Sequence, residues 1–354
     1  MIFTGRKGRY QLTDKIGNGG EGVVYNIQNC KGSVAKIYKD DKLQAKRNEL
    51  ERKLKTMTTS VRVNPVVNGF LKVAWPQDLL YDEKSMFVGF VMPKVSATHK
   101  IYHIQQDEKH RLKLFPQYTW KYAIQYAYNL TWIICYLHLN DIVVGDMNMN
   151  NIVVDMNGHV TLIDCDSFDI TDPVTKERFC CEVGMPELLA PEILFSGKLN
   201  QAPFSKESDN FSLAIHIFRL LMMNADPFCA KLIGKNVDSV AAFDTNRSIL
   251  NGESPFFRKL KNKVVPPWAP PLNLLPDEII NAFKRTFYYT QTTIVSNMKK
   301  RTTSHQWNKL LFDYAQPEPN PKLTTCPKHH VYSAHRAKCP FCEINGKNNS
   351  TLKF

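Results

Sequence analysis

Residues 144–155 read VGDMNMNNIVVD and hold a carboxylate, Asp146, and a carboxamide, Asn151, in a short polar loop. A strand-like apolar run follows at once, and a second acidic cluster, LIDCDSFDI at 162–170, lies close behind. The runs NIVVD (151–155) and VTLID (160–164) are separated by the turn MNGH, which predicts a hairpin. The spacing of Asp146 and Asn151 suits a phosphate-transfer site.

Working outward, the chain divides into two unlike halves. Residues 10–39 read as β-rich: YQLTDKIG, a glycine-rich turn, then GVVYNIQ and SVAKIYK. Residues 41–57 turn helical, with Leu50, Leu54 and Met57 on one face. Two more strand-like stretches, FLKVAWPQDLLYD and SMFVGFVMPKV, carry the first half to residue 95. From about residue 117 the pattern is mostly helical, in YTWKYAIQYAYNLTWIICYLHL, SDNFSLAIHIFRLLMM, PDEIINAFKRTFYY and TSHQWNKLLFDYA. The proline-rich QPEPNPKL then reads as a linker. A Cys/His segment follows at 325–343, and residues 344–354 are expected to be disordered.

Composition narrows the class. The 354 residues carry a net charge of +13. The first 95 hold 17 Lys/Arg against 9 Asp/Glu, residues 316–354 hold 6 against 2, and the rest is nearly neutral. A solvated basic face accounts for this, with nucleic-acid binding as a weaker added role. The longest apolar runs carry polar residues and fall short of a clean membrane span, and the N-terminus lacks a secretory apolar core. Six of the nine cysteines are scattered, which suits reduced thiols, while Cys326, Cys339 and Cys342 cluster near the C-terminus; the expected location is cytoplasmic.

In the first half, IGNGGEGVVY sets Gly17, Gly19 and Gly22 in G-x-G-x-x-G spacing before Val24. Such glycines let the backbone approach phosphate oxygens. Strand-like flanks on both sides argue against the dinucleotide fingerprint, which must open a helix. Lys36 lies between Ala35 and Ile37 in the next strand. It can neutralise nucleotide phosphates if an acid on the following helix holds it. Glu51, one turn before Leu54, is the expected acid, with Glu49 as the alternative.

Together these residues resemble the protein kinase family over roughly residues 8–313. Asp146 and Asn151 match its D-x-x-x-x-N catalytic loop, and Asp164 in DCD matches the aspartate of D-F-G. Ala190, Pro191 and Glu192 match A-P-E, and Arg301 stands where a late arginine pairs with that glutamate. The resemblance implies an α+β, two-lobed fold, with a β-rich lobe at 1–95, a hinge at 92–95 and a helical lobe at 96–315. It implies ATP and Mg²⁺ as cofactors and a protein Ser/Thr hydroxyl as acceptor. Asp146 would be the base, Asn151 and Asp164 the magnesium ligands, and Lys36 the phosphate clamp. Nucleotide contacts would come from the glycine loop with Val24, Ala35, Glu51, Met92, Val95 and Val153.

The departures matter equally. The usual H-R-D is Val144-Gly145-Asp146, so the arginine that grips a phosphorylated activation loop is missing. Ser167, Thr171 and Thr175 remain as hydroxyls there. Asn148 replaces a lysine, and Met185 replaces the threonine that packs on it. Asp166 replaces the glycine of D-F-G, adding a metal ligand or facing solvent, and Cys165 replaces the phenylalanine as a small buried side chain.

The segment TTCPKHHVYSAHRAKCPFCE (324–343) has a C-x2-C knuckle at Cys339 and Cys342. Cys326 with His330, or with His329 as alternative, completes four ligands for a structural zinc. AKIY, the G-D-M-x-x-x-N loop, I-D-C-D-S-F and this knuckle resemble kinases of tellurite-resistance-type gene clusters. That resemblance implies a von Willebrand factor A-type protein and a metal-dependent Ser/Thr phosphatase as partners. A pseudokinase, binding nucleotide and scaffolding a partner through the knuckle, is the alternative reading.

Overall fold

The computed structural model of the protein describes residues 1–61, 63–96, 99–202, 204–234 and 244–348. The chain begins with four antiparallel strands, β1 (Ile2–Gly5), β2 (Gly8–Asn18), β3 (Gly22–Ile27) and β4 (Cys30–Tyr38). Strands Phe87–Pro93 and Asp78–Tyr81 complete a closed barrel, joined back to β1 at Thr4↔Tyr81. β1 is an addition to the expected sheet. Asp78, 3 % exposed, fixes it by accepting from the backbone N–H groups of Arg6 (3.1 Å) and Lys7 (2.9 Å) and from the Tyr10 hydroxyl (2.8 Å). A Cβ on Gly5 would lie 2.6 Å from that carboxylate, so the turn has no room for a side chain.

Helix α1 (Asp40–Thr59) packs against this barrel. Asp40 and Asp41 sit in its first turn, where carboxylates complement the helix dipole. Leu50, Leu54 and Met57 are buried on one stripe as the periodicity predicts, and Lys53 shares that stripe. The helix kinks at Lys46.

The second lobe is built around helices Trp120–Leu139, Lys206–Leu221, Asp277–Phe287 and Ser304–Phe312. Phe211, Phe218, Phe228, Phe283, Phe287 and Trp307 lie fully buried among them. Each such ring contributes about 1.5–3 kcal/mol by leaving water. The predicted hairpin forms from Ile152–Val154 and Val160–Leu162, with Ile152 opposite Leu162, and His99–Lys100 adds a third strand. Among the described residues no helix is long and apolar enough to cross a membrane.

The chain's end is more ordered than expected. The proline-rich linker is strapped down: Asn320 Nδ2 donates to the carbonyls of Asp313, Tyr314 and Gln316, and Glu318 pairs with Lys121. Leu323–Thr325 then forms a small hairpin with Val331–Ser333. Residues 344–348, expected to be disordered, belong to helix Pro340–Asn348. Pro340 starts that helix, where its missing N–H costs nothing. Residues 349–354 lie outside the described residues.

Candidate active site and metal centre

Between the lobes lies a cleft of about 800 Å³. Gly17, Gly19, Gly22, Val24 and Lys36 line its upper wall, and Asp146, Asn148, Asn151 and Asp164 its floor. Glu182–Pro186 closes one side, with Met185 facing the cleft as Asn148 does. Gly22 must stay bare because a Cβ there would lie 2.7 Å from the Ile37 carbonyl oxygen.

The floor is held from below by buried polar contacts. Asp209, 1 % exposed on helix Lys206–Leu221, accepts from the backbone N–H groups of Val144 (2.7 Å) and Gly145 (2.9 Å). Its carboxylate also meets His138 Nε2 at 3.0 Å. One helical turn pair further on, His216 Nε2 meets the Met147 carbonyl at 2.8 Å. Burial pulls the His216 pKa down to about 4, so the ring is neutral and its Nε2–H donates. Gly145 has φ +72°, and a Cβ there would collide with Cys181 Cβ and Sγ at 2.7 Å. No arginine fits at this position, which accounts for the missing residue of H-R-D. Arg301 joins Glu192 through two bonds of 2.6 and 2.7 Å, deep in the second lobe.

Asp146 is 7 % exposed. Asn151 Nδ2 donates to its Oδ2 at 3.1 Å, while Oδ1 is buried without a hydrogen-bond partner among the described residues. Burial pushes the Asp146 pKa up to about 6, opposed by the Asn148 backbone N–H and the Asn151 amide and helped by the Asp164 charge. Asn151 thereby keeps its carbonyl oxygen free for a cation. Asp164, in the left-handed region at φ 54°, offers a carboxylate to the same cleft. Two oxygen donors with room left for water and phosphate oxygens fit Mg²⁺.

Lys36 shows the largest departure from expectation. Its Nζ lies 2.9 Å from both carboxylate oxygens of Asp166 and 3.3 Å from Asp164 Oδ1. The Tyr38 hydroxyl donates to Asp166 Oδ2 at 2.7 Å. Burial alone would lower the Lys36 pKa, but the Asp166 and Asp164 charges raise it above its ordinary value. Asp166, 5 % exposed, is held below the usual carboxylate range against its own burial by Lys36. It neither faces solvent nor is free to serve as a further metal ligand.

Neither helix acid reaches Lys36. Glu51 Oε1 accepts from the Tyr81 hydroxyl at 3.0 Å, and Glu49 lies 3.9 Å from Lys46 at the surface. The inward position on α1 is Lys53, 5 % exposed, whose pKa burial lowers.

The remaining expected nucleotide contacts lie around this part of the cleft rather than in its lining. Ala35 is fully buried on the opposite face of β4 from Lys36, because strand side chains alternate; Val34 shares the lysine's face. Met92 and Val153 are buried and Val95 partly buried, and none of the three lines the 800 Å³ cleft. Met92 and Pro93 still belong to strand Phe87–Pro93, so the crossover starts at Lys94. The cleft gains Lys100 and Ile163 instead. Burial lowers the Lys100 pKa, opposed by the Asp164 charge.

The segment after Asp166 is tied to α1. Thr56 Oγ1 donates to Asp172 (2.6 Å), Arg52 pairs with Glu177 (3.0 Å), and Lys46 pairs with Glu182. Arg178 closes the other side on Asp169, with two bonds of 2.9 Å. Cys165 is 1 % exposed, and burial raises its pKa, leaving a thiol with no path to solvent oxidants.

In the C-terminal module, Cys326, His330, Cys339 and Cys342 converge with ligand atoms all within 4.8 Å of one another. His330 Nδ1 lies 3.5 Å from Cys326 Sγ, 3.6 Å from Cys339 Sγ and 3.4 Å from Cys342 Sγ. A tetrahedral zinc with bonds of about 2.3 Å to sulfur and about 2.0 Å to nitrogen sets its ligands roughly 3.5–3.8 Å apart. The donor set fits that ion. His330 is buried at the centre, whereas His329 is exposed, in the left-handed turn that swings the chain round.

Residues 10–325 match the protein kinase domain. The chain belongs to the protein kinase family. It is 29 % identical over 350 residues to "Protein kinase YegI" of Escherichia coli (strain K12), a match covering 98 % of this chain and 50 % of the relative. The chain thus spans about half the length of this curated relative. It is 27 % identical over 222 residues to a cAMP-dependent protein kinase catalytic subunit of Schizosaccharomyces pombe, covering 61 % of this kinase and 39 % of the relative. With "Serine/threonine-protein kinase SCH9" of Saccharomyces cerevisiae it shares 28 % over 222 residues, covering 60 % and 24 %.

Proposed function

We propose that this kinase is an active, ATP- and Mg²⁺-dependent phosphotransferase whose acceptor is a Ser or Thr hydroxyl of a protein. The observation that carries the reading is Asp146 Oδ1, buried and without a partner at the floor of the cleft. An unpaired buried oxygen is costly unless a ligand satisfies it, and an acceptor hydroxyl supplies the proton it lacks. With a pKa near 6, the carboxylate is ionised at neutral pH yet close enough to it to take a proton.

Each remaining group has a positional task. Asn151 holds Asp146 by one oxygen and so aims the other. The glycine loop supplies backbone N–H groups, and Lys36 a fixed charge, where the phosphates would lie. Asn151 and Asp164 would hold Mg²⁺, which supplies charge neutralisation between the β- and γ-phosphates when bound. Cys326, His330, Cys339 and Cys342 would hold a structural zinc. Reduced thiolate ligands suit a cytoplasmic location. By the likeness to tellurite-resistance-type kinases, the proposed partners are a von Willebrand factor A-type protein and a metal-dependent Ser/Thr phosphatase; co-purification tests them.

The function is tested by incubating the protein with γ-labelled ATP and Mg²⁺ beside Asp146→Ala. The expected result is label on the protein itself or on a generic protein acceptor, reduced about 10²–10⁴-fold in the variant. Nucleotide binding without any transfer by the unaltered chain would instead support the pseudokinase reading.

A further inference from the structure

Lysines buried beside a phosphate site need a fixed counter-charge, and the source of that charge determines what can switch the site. In this kinase the source is not a helix. Asp166 accepts three bonds on two oxygens: two from Lys36 at 2.9 Å each and one from the Tyr38 phenol at 2.7 Å. Lys36 and Tyr38 are two residues apart on β4 and therefore project from the same face. All three side chains are buried, and the Lys36 ammonium also lies 5.7 and 5.9 Å from the Tyr38 and Phe90 ring centroids. Aromatic walls exclude water, so the charge pair acts in a medium where its strength is least screened.

Helix α1 offers the opposite charge. Its inward position is Lys53, which feels the charges of Asp166, Asp169 and Glu49 and forms no ion pair within 4 Å among the described residues. The acids of α1 are turned aside, Glu51 to Tyr81 and Glu49 to Lys46. A cation on the inward face would repel Lys36, and Asp166 feels the charge of both lysines.

We propose that Asp166 is the positioning carboxylate for Lys36, so that the phosphate clamp is assembled between β4 and the 164–166 turn without any acid from α1. Asp164 caps the short turn Cys165–Ser167 that holds Asp166, and the Ser167 hydroxyl donates back to the Asp164 carbonyl at 2.8 Å. The candidate magnesium ligand and the lysine's counter-charge are thus two residues of one rigid piece. Moving α1 outward leaves the clamp intact, while moving the 164–166 turn dismantles metal site and clamp together. This inference rests on the kinase reading for its nucleotide, but the Lys36–Asp166 pairing does not.

The test uses the full chain and the variants Asp166→Asn and Glu51→Gln. One arm pulses the folded protein with acetic anhydride and measures Lys36 acetylation by peptide mass. A lysine locked to a carboxylate reacts slowly, because only the neutral amine attacks. Asp166→Asn is expected to accelerate Lys36 acetylation by about tenfold or more, one pKa unit being tenfold in free amine. Glu51→Gln is expected to react as the unaltered protein does. The second arm measures binding of ATP·Mg²⁺ and of adenosine. Asp166→Asn should weaken ATP about tenfold while adenosine, lacking phosphates, changes less than about twofold. Lys36 acetylation unchanged in Asp166→Asn, or accelerated in Glu51→Gln, overturns the proposal. If the unaltered protein binds no ATP, the kinase reading fails, and the acetylation arm still decides the pairing. Should Asp166→Asn not fold, NMR of the ¹⁵N-lysine-labelled chain decides: an ammonium held by a buried carboxylate gives a slowly exchanging Lys36 Nζ–H signal, expected in the unaltered chain and retained in Glu51→Gln. Loss of that signal in Glu51→Gln, or its absence from the unaltered chain, also overturns the proposal.

Discussion

Helix α1 and helix Lys206–Leu221 both touch the catalytic machinery, and they hold it by opposite means. Helix Lys206–Leu221 is buried along most of its length and reaches the catalytic loop through Asp209 and His216, each at most 1 % exposed. Helix α1 reaches the segment after Asp166 through Arg52–Glu177, which is exposed, Lys46–Glu182, which is half-buried, and the buried hydrogen bond Thr56–Asp172. Buried polar contacts in a low dielectric are strong and unforgiving, whereas exposed ion pairs are weak and screened by salt. The loop of Asp146 is therefore bolted in place, while α1 meets the segment after Asp166 through one buried hydrogen bond and two more weakly held ion pairs.

The largest expected effect breaks the bolted side. Asp209→Ala leaves two backbone N–H groups and His138 without their acceptor, at a cost of about 3–5 kcal/mol. Phosphate transfer should fall by more than about a hundredfold, and denaturant unfolding measures the stability loss. If Asp209→Ala is nearly neutral in both assays, the loop is held by something else.

His216 gives a pH signature of the same helix. Its folded pKa is about 4, against an ordinary 6.5. The unfolded chain thus takes up a proton below about pH 6.5 while the folded state refuses it until about pH 4. Stability is full above 6.5 and declines by about 3 kcal/mol as pH falls to 4. His216→Gln should flatten that decline in urea titrations.

The C-terminal module adds a third mode of attachment, in which the proposed zinc would stand in for a core. Its hairpin packs against helix Trp120–Leu139, and Arg336 donates to the Asn273 carbonyl at 3.0 Å. Cys339→Ser, or a strong chelator, should lower the melting temperature of the whole second lobe by a few degrees, each kcal/mol being worth about 2–4 °C at this chain length. Zinc release upon thiol modification gives the stoichiometry, expected at one ion per chain. The smallest effect belongs to α1: Glu177→Gln should change phosphate transfer less than about threefold, and 0.5 M salt should erase the difference.

The same contrast explains what could be read from the residues. That Asp146, Asn151 and Asp164 meet in one cleft, and that four Cys/His side chains of the knuckle converge, was legible because each set lies within short motifs of fixed local spacing. The partner of Lys36 was not, because choosing Glu51 required knowing how α1 is rotated. Periodicity held that answer: Leu50, Leu54 and Met57 define the buried stripe, and Lys53 falls on it while Glu51 does not. Strand alternation likewise puts Val34 and Tyr38, rather than Ala35, on the face of Lys36. The strand Ile2–Gly5 depends on Asp78, a contact 71 or more residues away, and no local pattern announces it.

The central claim is that Asp146 is the catalytic base. Its most direct test is the pH dependence of kcat/KM with ATP·Mg²⁺ and a protein acceptor. Because the ionised carboxylate is the active form and its pKa is about 6, kcat/KM should rise about tenfold per pH unit below 6 and level off above it. The residual activity of Asp146→Asn should lack that acid limb. An unchanged limb in Asp146→Asn, or a profile flat between pH 5 and 8 in the unaltered kinase, would contradict the account.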